Sequence, residues 1–507
     1  MKILAVTMGR YLQVFLNLYN AMSAQQELPR PALFVADSKN YLKAEKVFPE
    51  LAELVTLKEW ELTGKGAVMV PDFERIARFQ EACPQTLWNA LLCDRRIFFG
   101  RLVKSKQDYK SHYSYTQLLA ILDVFLCEIE AFLEAEQPDV VLSFSSTTIG
   151  DYLFEILAKE KEIPYLQLKA TKINNRLSLN DTGTGIPAHL TQRLADPVPF
   201  SQEVRKEALA VLDGVRNRGL KYEGAILFSW QRMLDKLRNA PAILANKAVQ
   251  AYQNANTTII KDDKHLPPTF RSAWYVNIVH PLRTYYLGRK NAYLQESELK
   301  EQGSYLFYPL HFEPEVSLQV FGKPFQNQIE TVRNLALSVP VTMKVVVKEH
   351  PRSLGFRKLS YYKKLLAIPN VRLVDPFLPA KNIIEHADVV AVVSGSIGLE
   401  AAILGKPVLV LGTVNYELLP DSMVRKIKGI HRLDREIKQL IQDHNYDEEA
   451  VLRYISAIID DSVAVNMYTD LLGKSARYSR NEETKELTVS YQRLSSYLIN
   501  KVRVSTC

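Results

Sequence analysis

At 507 residues the chain is too long for one ordinary core, and its length suits two to four domains. With 47% hydrophobic, 24% charged and 10% aromatic residues the composition is globular, which sets disorder aside. A net charge of +8 suits anionic small molecules or acidic lipid as well as a plain solvated basic surface. No Lys/Arg run interleaved with aromatics marks a nucleic-acid site, so no nucleic-acid partner is expected. Cys83, Cys93, Cys127 and Cys507 form no CxxC pair and no metal-ligand spacing, which fits a reducing compartment. The opening MKILAVTMGR reads as a first strand rather than a signal peptide, and no uncharged apolar stretch is long enough to span a bilayer. The expectation is a cytoplasmic protein whose contact with the inner face of the membrane, if any, is peripheral.

In chain order, residues 2–7 read as a buried strand, 11–24 as a helix and 31–36 as a second strand. A long helical region follows over about 71–136. Strand 139–144, helix 149–160 and strand 164–168 then make a βαβ unit, whose continuous apolar strands predict a parallel sheet covered on both faces. Residues 200–300 are helix-like and rich in Arg and Lys (Arg216, Arg218, Lys221, Arg232, Lys236, Arg238, Lys247), a bridge or insertion. Its basic face suits a membrane surface or an acidic acceptor chain, and equally plain solvation. Alternation resumes with strands 304–308, 343–348, 371–374, 388–393 and 407–411, separated by helices near 324–338, 359–367, 379–387 and 397–404. Segments 448–460 and 484–501 read as helices. The expected fold is α/β with two Rossmann-like domains, 1–199 and 301–480, the helical segment 200–300 between them, and a terminal helix in 481–507 crossing back to the first domain.

Ligands of open α/β sheets bind beyond the carboxyl ends of the strands, so the residues following each strand of the second sheet carry the chemistry. Three polar clusters converge there: Pro309-Leu310-His311-Phe312-Glu313-Pro314-Glu315, Lys348-Glu349-His350-Pro351-Arg352, and Ser394-Gly395-Ser396 running into a helix that bears Glu400. Free N–H groups and the positive end of that helix suit a phosphate, and Gly395 allows close approach to the backbone. Glu400, one turn in, is placed to reach a ribose diol. His350 is placed to donate to a phosphate or to a leaving oxygen as charge develops. His311 and Glu313 either grip the ligand or stabilise their own loop.

PLHFEPE, VKEHP and VSGSIGLEAAILGKPVLVLG together resemble the capsule polysaccharide biosynthesis/export family, whose members include Kdo transferases using a CMP-activated sugar. The resemblance is sharp over 304–412, looser over 137–177 and absent from the helical segment. It implies a GT-B architecture with the nucleotide-sugar donor on the C-terminal domain and a polysaccharide or glycolipid acceptor on the N-terminal one. It also implies that His350 and Pro351 contact the donor phosphate, that Ser394, Ser396 and Glu400 hold phosphate and ribose, and that no metal or other cofactor is needed. A catalytic acid or base is expected from the N-terminal domain, with Asp151, Asp181 and the polar turn Gly9-Arg10 as candidates. For Asp151, at the start of a helix, stabilisation of that helix is the stronger reading. Three other readings stay open: a nucleotide-sugar 2-epimerase, weakened by Ser145 and Ser146 where acidic residues would serve; a CDP-polyol phosphotransferase; and a non-catalytic capsule assembly or export component.

Overall fold

The computed structural model describes residues 1–83, 85–98, 111–220, 229–266, 269–289, 293–313, 315–472 and 480–506; Lys221 and Cys507 lie outside these residues. Two six-stranded sheets organise the chain. The first holds β1 (Ile3–Thr7), β2 (Ala32–Val35), β3 (Thr56–Lys58), β4 (Val140–Ser143), β5 (Tyr165–Ala170) and β6 (Leu177–Asn180), in the order β3-β2-β1-β4-β5-β6. Helices α1 (Tyr11–Ser23), α2 (Tyr115–Glu136) and α3 (Ile149–Glu160) are among those that cover it. β1, β2 and β4 are buried at every position, as continuous apolar runs require when helices lie on both faces.

The expectation of a wholly parallel sheet needs one correction. β6 runs antiparallel to β5, with Gln167 opposite Asn180 and Ala170 opposite Leu177. Only six residues join the two strands, too few for the crossover that a parallel pair needs. That short turn places Lys172, Asn174 and Asn175 in the left-handed region.

The intervening segment is helical, with α4 (Gln202–Arg218), α5 (Trp230–Ala255), α6 (Thr269–Trp274), a π-helical turn at Tyr275–Val279 and α7 (His280–Gly288). The second sheet holds β7 (Tyr305–Pro309), β8 (Lys344–Lys348), β9 (Val371–Val374), β10 (Val389–Val392), β11 (Val408–Val410) and β12 (Val424–Lys426). Its order is β12-β11-β10-β7-β8-β9, all neighbours parallel. Each sheet thus has the doubly wound order, with a switch point between its first and fourth strands: β1/β4 and β7/β10. The fold is α/β and GT-B-like.

Helix α8 (Ser396–Ile403) follows β10, α9 (Glu448–Asp460) follows the second sheet, and α10 (Arg480–Thr506) ends the chain. α10 lies along α1 of the first domain. Its Leu494, Leu498 and Val502 enter the core that contains Ile3 and Leu33, and the Leu179 N–H donates to the Tyr497 hydroxyl at 3.2 Å. β3, β6 and β12 do not stand out in the sequence because they are three or four residues long, and β3 and β12 each carry a lysine. The region 71–136 is not one helix; among its described residues it breaks into Phe73–Ala82, Trp88–Cys93, Arg95–Phe98 and α2. Among the described residues no helix is long and apolar enough to cross a membrane.

Candidate functional site

The switch point of the second sheet is where the loops after β7 and β10 part, and the cleft between the domains opens there. On the C-terminal side it is lined by Ser394, Gly395 and Ser396; on the N-terminal side by Lys169 and Lys172 from the end of β5 and its turn. The cleft holds about 900 Å³, including solvent at its mouth.

Gly395 is the N-cap of α8 and caps it with no side chain. The first N–H groups of a helix have no partner inside it, so this end is a positive, donor-rich surface. The Tyr416 hydroxyl donates to the Gly395 carbonyl at 2.6 Å, and Gly398 makes room for it, since a Cβ there would stand 2.3 Å from that hydroxyl. Ser394 is tied back by its Oγ, which donates to the Ser317 carbonyl at 2.9 Å.

His311 lies against Gly395: a Cβ on the glycine would come within 3.2 Å of the imidazole Cε1. Gln328 holds the histidine's backbone on both sides, accepting from its N–H at 2.6 Å and donating to its carbonyl at 3.1 Å. The His311 Nε2 is buried with no hydrogen-bond partner. Burial, then the positive charges of Lys172, Arg357 and His350, push its pKa down to about 3. His311 is therefore neutral at pH 7, and its Nε2 is a polar atom awaiting a partner.

His350 is exposed on the loop after β8. The Arg352 N–H donates to its Nδ1 at 3.1 Å, so in the neutral ring the proton sits on Nε2 and that nitrogen is a donor. Crowding of the ring by nearby protein atoms, which thins its hydration although the residue reaches the surface, and then the charges of Lys348 and Arg352 lower its pKa to about 4. Lys348 is buried, its Nζ donating to the Pro376 carbonyl at 2.6 Å, and burial lowers its pKa to about 8. Pro351 turns the chain after His350, and Arg352 stands exposed beyond it.

Four predicted residues, Glu313, Glu400, Asp151 and Asp181, are held in contacts away from the cleft. Glu313 is held in a buried ionic knot, paired with Arg357 at 3.4 Å, while Arg357 also pairs with Glu349 at 2.5 Å. Of the two readings of Glu313, loop stabilisation is what this geometry serves. Glu400 faces the end of α4 instead of a ribose position: Leu220 donates a backbone hydrogen bond to it, Lys381 is its nearest cation, and a Cβ on Gly219 would lie 2.7 Å from its Oε1. One turn into a helix is also a rotation around it, and this one carries the carboxylate away from the open end. Asp151 completes a capping box on α3, its Oδ2 accepting from the Ser145 hydroxyl at 2.6 Å and from the Thr147 and Thr148 N–H groups at 2.9 and 3.1 Å. Burial raises its pKa. Asp181 accepts from the Ala188 N–H at 3.0 Å and serves its own loop.

The cleft also contains residues that the motifs did not announce. Burial lowers Lys169 to about 8, and its Nζ lies 4.5 Å from the centre of the Phe321 ring, across the domain boundary. The pKa of Lys172 is also lowered, by loss of hydration beside the neighbouring domain, and Glu315 opposes the shift. His189 and Asp461 pair at 2.9 Å on another wall of the cleft. The signal for Lys172 was the KATKINN run after β5, legible only once the short antiparallel turn is known.

No curated protein matches the chain in sequence. Among solved structures it is similar to the β-Kdo 2,7 transferase of Thermosulfurimonas dismutans KpsC, with 14% identity, 82% of this chain and 97% of that one covered, and a TM-score of 0.37. The β-Kdo 2,4 transferase of the same organism's KpsC aligns at 13% identity over 66% of this chain and 84% of that one, TM-score 0.32. A UDP-GlcNAc 2-epimerase from Neisseria meningitidis bound to UDP-GlcNAc aligns at 14% identity over 99% of both chains, TM-score 0.28. At these values the likenesses carry no assignment of function. The family match reaches into the helical segment, where the motifs showed no resemblance. Over residues 229–420 the chain matches the family described as capsule polysaccharide biosynthesis protein, and all three motifs that carried the resemblance lie within that match.

Proposed function

We propose that the protein is a glycosyltransferase that moves a sugar from a nucleotide-activated donor, CMP-Kdo-like or a UDP-sugar, to a capsule or surface polysaccharide or its lipid anchor. One observation carries this reading: the uncapped N-terminal end of α8, with the His311 ring against its Gly395, lines the same cleft as Lys169 and Lys172 of the other domain. A helix end and two cations are suited to cradle a phosphate. On transfer, the bond between the anomeric carbon and the phosphate oxygen breaks and an acceptor hydroxyl oxygen takes its place. His350, with its proton on Nε2, is suited to meet the charge that develops on the departing phosphate.

The test is thermal-shift titration with CMP, CDP, UDP, GDP and ADP, since a ligand at a hundredfold excess over Kd stabilises the fold by about 2.7 kcal/mol. One nucleotide is expected to raise Tm, with Lys169→Met weakening its affinity about tenfold and leaving the unliganded Tm intact. Affinity is also expected to fall as pH rises past about 8, where Lys169 loses its proton. His350→Ala is expected to lower kcat/KM about a hundredfold with nucleotide affinity less affected. Absence of any nucleotide response from folded protein would favour the non-catalytic assembly component, a reading to which the engagement of Asp151 and Asp181 in backbone caps lends weight.

A further inference from the structure

The helical run from α6 through the π turn to α7 has two unlike faces. Its inner face is clamped to the loop that follows His350. The Thr284 hydroxyl donates to the Leu354 carbonyl at 2.8 Å, and the His280 ring stacks on Phe356 at 3.8 Å. Its outer face exposes Phe270 (47%), Trp274 (47%), Leu282 (54%) and Tyr286 (57%). A straight α-helix would rotate Leu282 away from Trp274 over eight residues. The π turn, whose hydrogen bonds span one residue more, winds less per residue and returns them to one stripe.

The charge around this stripe is one-sided. Residues 269–289 contain three arginines (Arg271, Arg283, Arg289) and no acid, and residues 229–289 together hold nine Lys/Arg against three Asp. Aromatic and aliphatic side chains exposed along one helical face, with arginines at both ends, match the chemistry of a bilayer interface bearing anionic headgroups. A solvated helix would not leave four large apolar side chains half bare on one side.

We infer that the outer face of α6–α7 is a docking surface for an anionic lipid bilayer. The surface stands on its own geometry. Its consequence, that docking holds the His350 loop near the membrane where a lipid-anchored acceptor would lie, rests on the transfer reading above.

The experiment is co-sedimentation of the full chain with vesicles of phosphatidylcholine alone and of phosphatidylcholine with about one-third phosphatidylglycerol. Binding is expected with the anionic vesicles only. It should weaken about tenfold or more in Trp274→Ser/Leu282→Ser and, independently, in Arg271→Glu/Arg289→Glu, because each interfacial cation adds to the attraction for anionic lipid. Unchanged nucleotide-induced thermal shifts in the same variants would show the fold and cleft intact. No binding to anionic vesicles, or binding by both variant pairs as tight as that of the wild type, overturns the inference. Self-association of the wild type that the Trp274/Leu282 pair abolishes, without vesicle binding, assigns the face to a second copy and overturns it too. Vesicle binding by a protein that answers no nucleotide leaves the surface standing and removes the transfer reading.

Discussion

Glu400 shows how one residue's surroundings decide its chemistry. Burial, opposed in part by the Leu220 N–H and Lys381, raises its pKa from 4.5 to about 7. The folded protein therefore keeps a proton that the unfolded chain releases near pH 4.5. Stability from this group falls as pH climbs through that window, and its full cost is present above about pH 7. Glu400→Gln keeps an acceptor for Leu220 and removes the charge. It is expected to leave stability unchanged at pH 4 and to add on the order of 3 kcal/mol at pH 8, measured by urea unfolding at both values. Nucleotide affinity should not change, because the carboxylate lies against α4 and not in the cleft. A loss of affinity in this variant would restore the ribose role that its position in the sequence suggested.

At the scale of elements, the turn between β10 and α8 is shaped by what its small residues admit. Gly398 allows Tyr416 to cross the helix and hold the Gly395 carbonyl, which fixes the direction of the helix end. Gly398→Ala would drive a methyl into the Tyr416 ring and into Val392, 2.8 Å away. A cost of about 1–3 kcal/mol in stability is expected from such overpacking, together with weaker nucleotide binding because the helix end turns. Calorimetric unfolding with and without nucleotide separates the two effects. The β5–β6 turn works in the same way from the other domain. Lys172 takes a left-handed backbone there, an uncommon state for a side chain of its size, and this brings the cation into the cleft.

At the scale of the molecule, two domains meet through contacts far apart in sequence. Arg176 donates to the Ser462 Oγ at 2.8 Å and to the Ser462 carbonyl at 2.9 Å. Lys323 donates to the Tyr152 hydroxyl at 3.2 Å. α10 seals the first domain although it follows the second, so the stability of the N-terminal core depends on the chain's last helix. Leu498, 1% exposed, packs in that core. Leu498→Ala is expected to cost about 2–5 kcal/mol, and the loss should appear first as hydrogen exchange in β1 and α1. Protection lost first in the second sheet would place α10's main contribution elsewhere.

Alternating apolar runs and short connections were enough to read the α/β class, most of the strands, and the loops after β7, β8 and β10, because burial on both faces of a parallel sheet leaves a strong local signal. β3, β6 and β12 escaped because edge strands of three or four residues carry little burial pattern. Ser394, Gly395 and Ser396 were legible for a local reason as well: a small-residue turn before a helix makes an anion surface wherever it occurs. The orientation of Glu400, the engagement of Glu313 with Arg357, and the arrival of Lys169 and Lys172 opposite α8 were not legible. Each depends on how a helix rotates against its neighbours or how one domain sits on another, and packing between residues distant in sequence sets both.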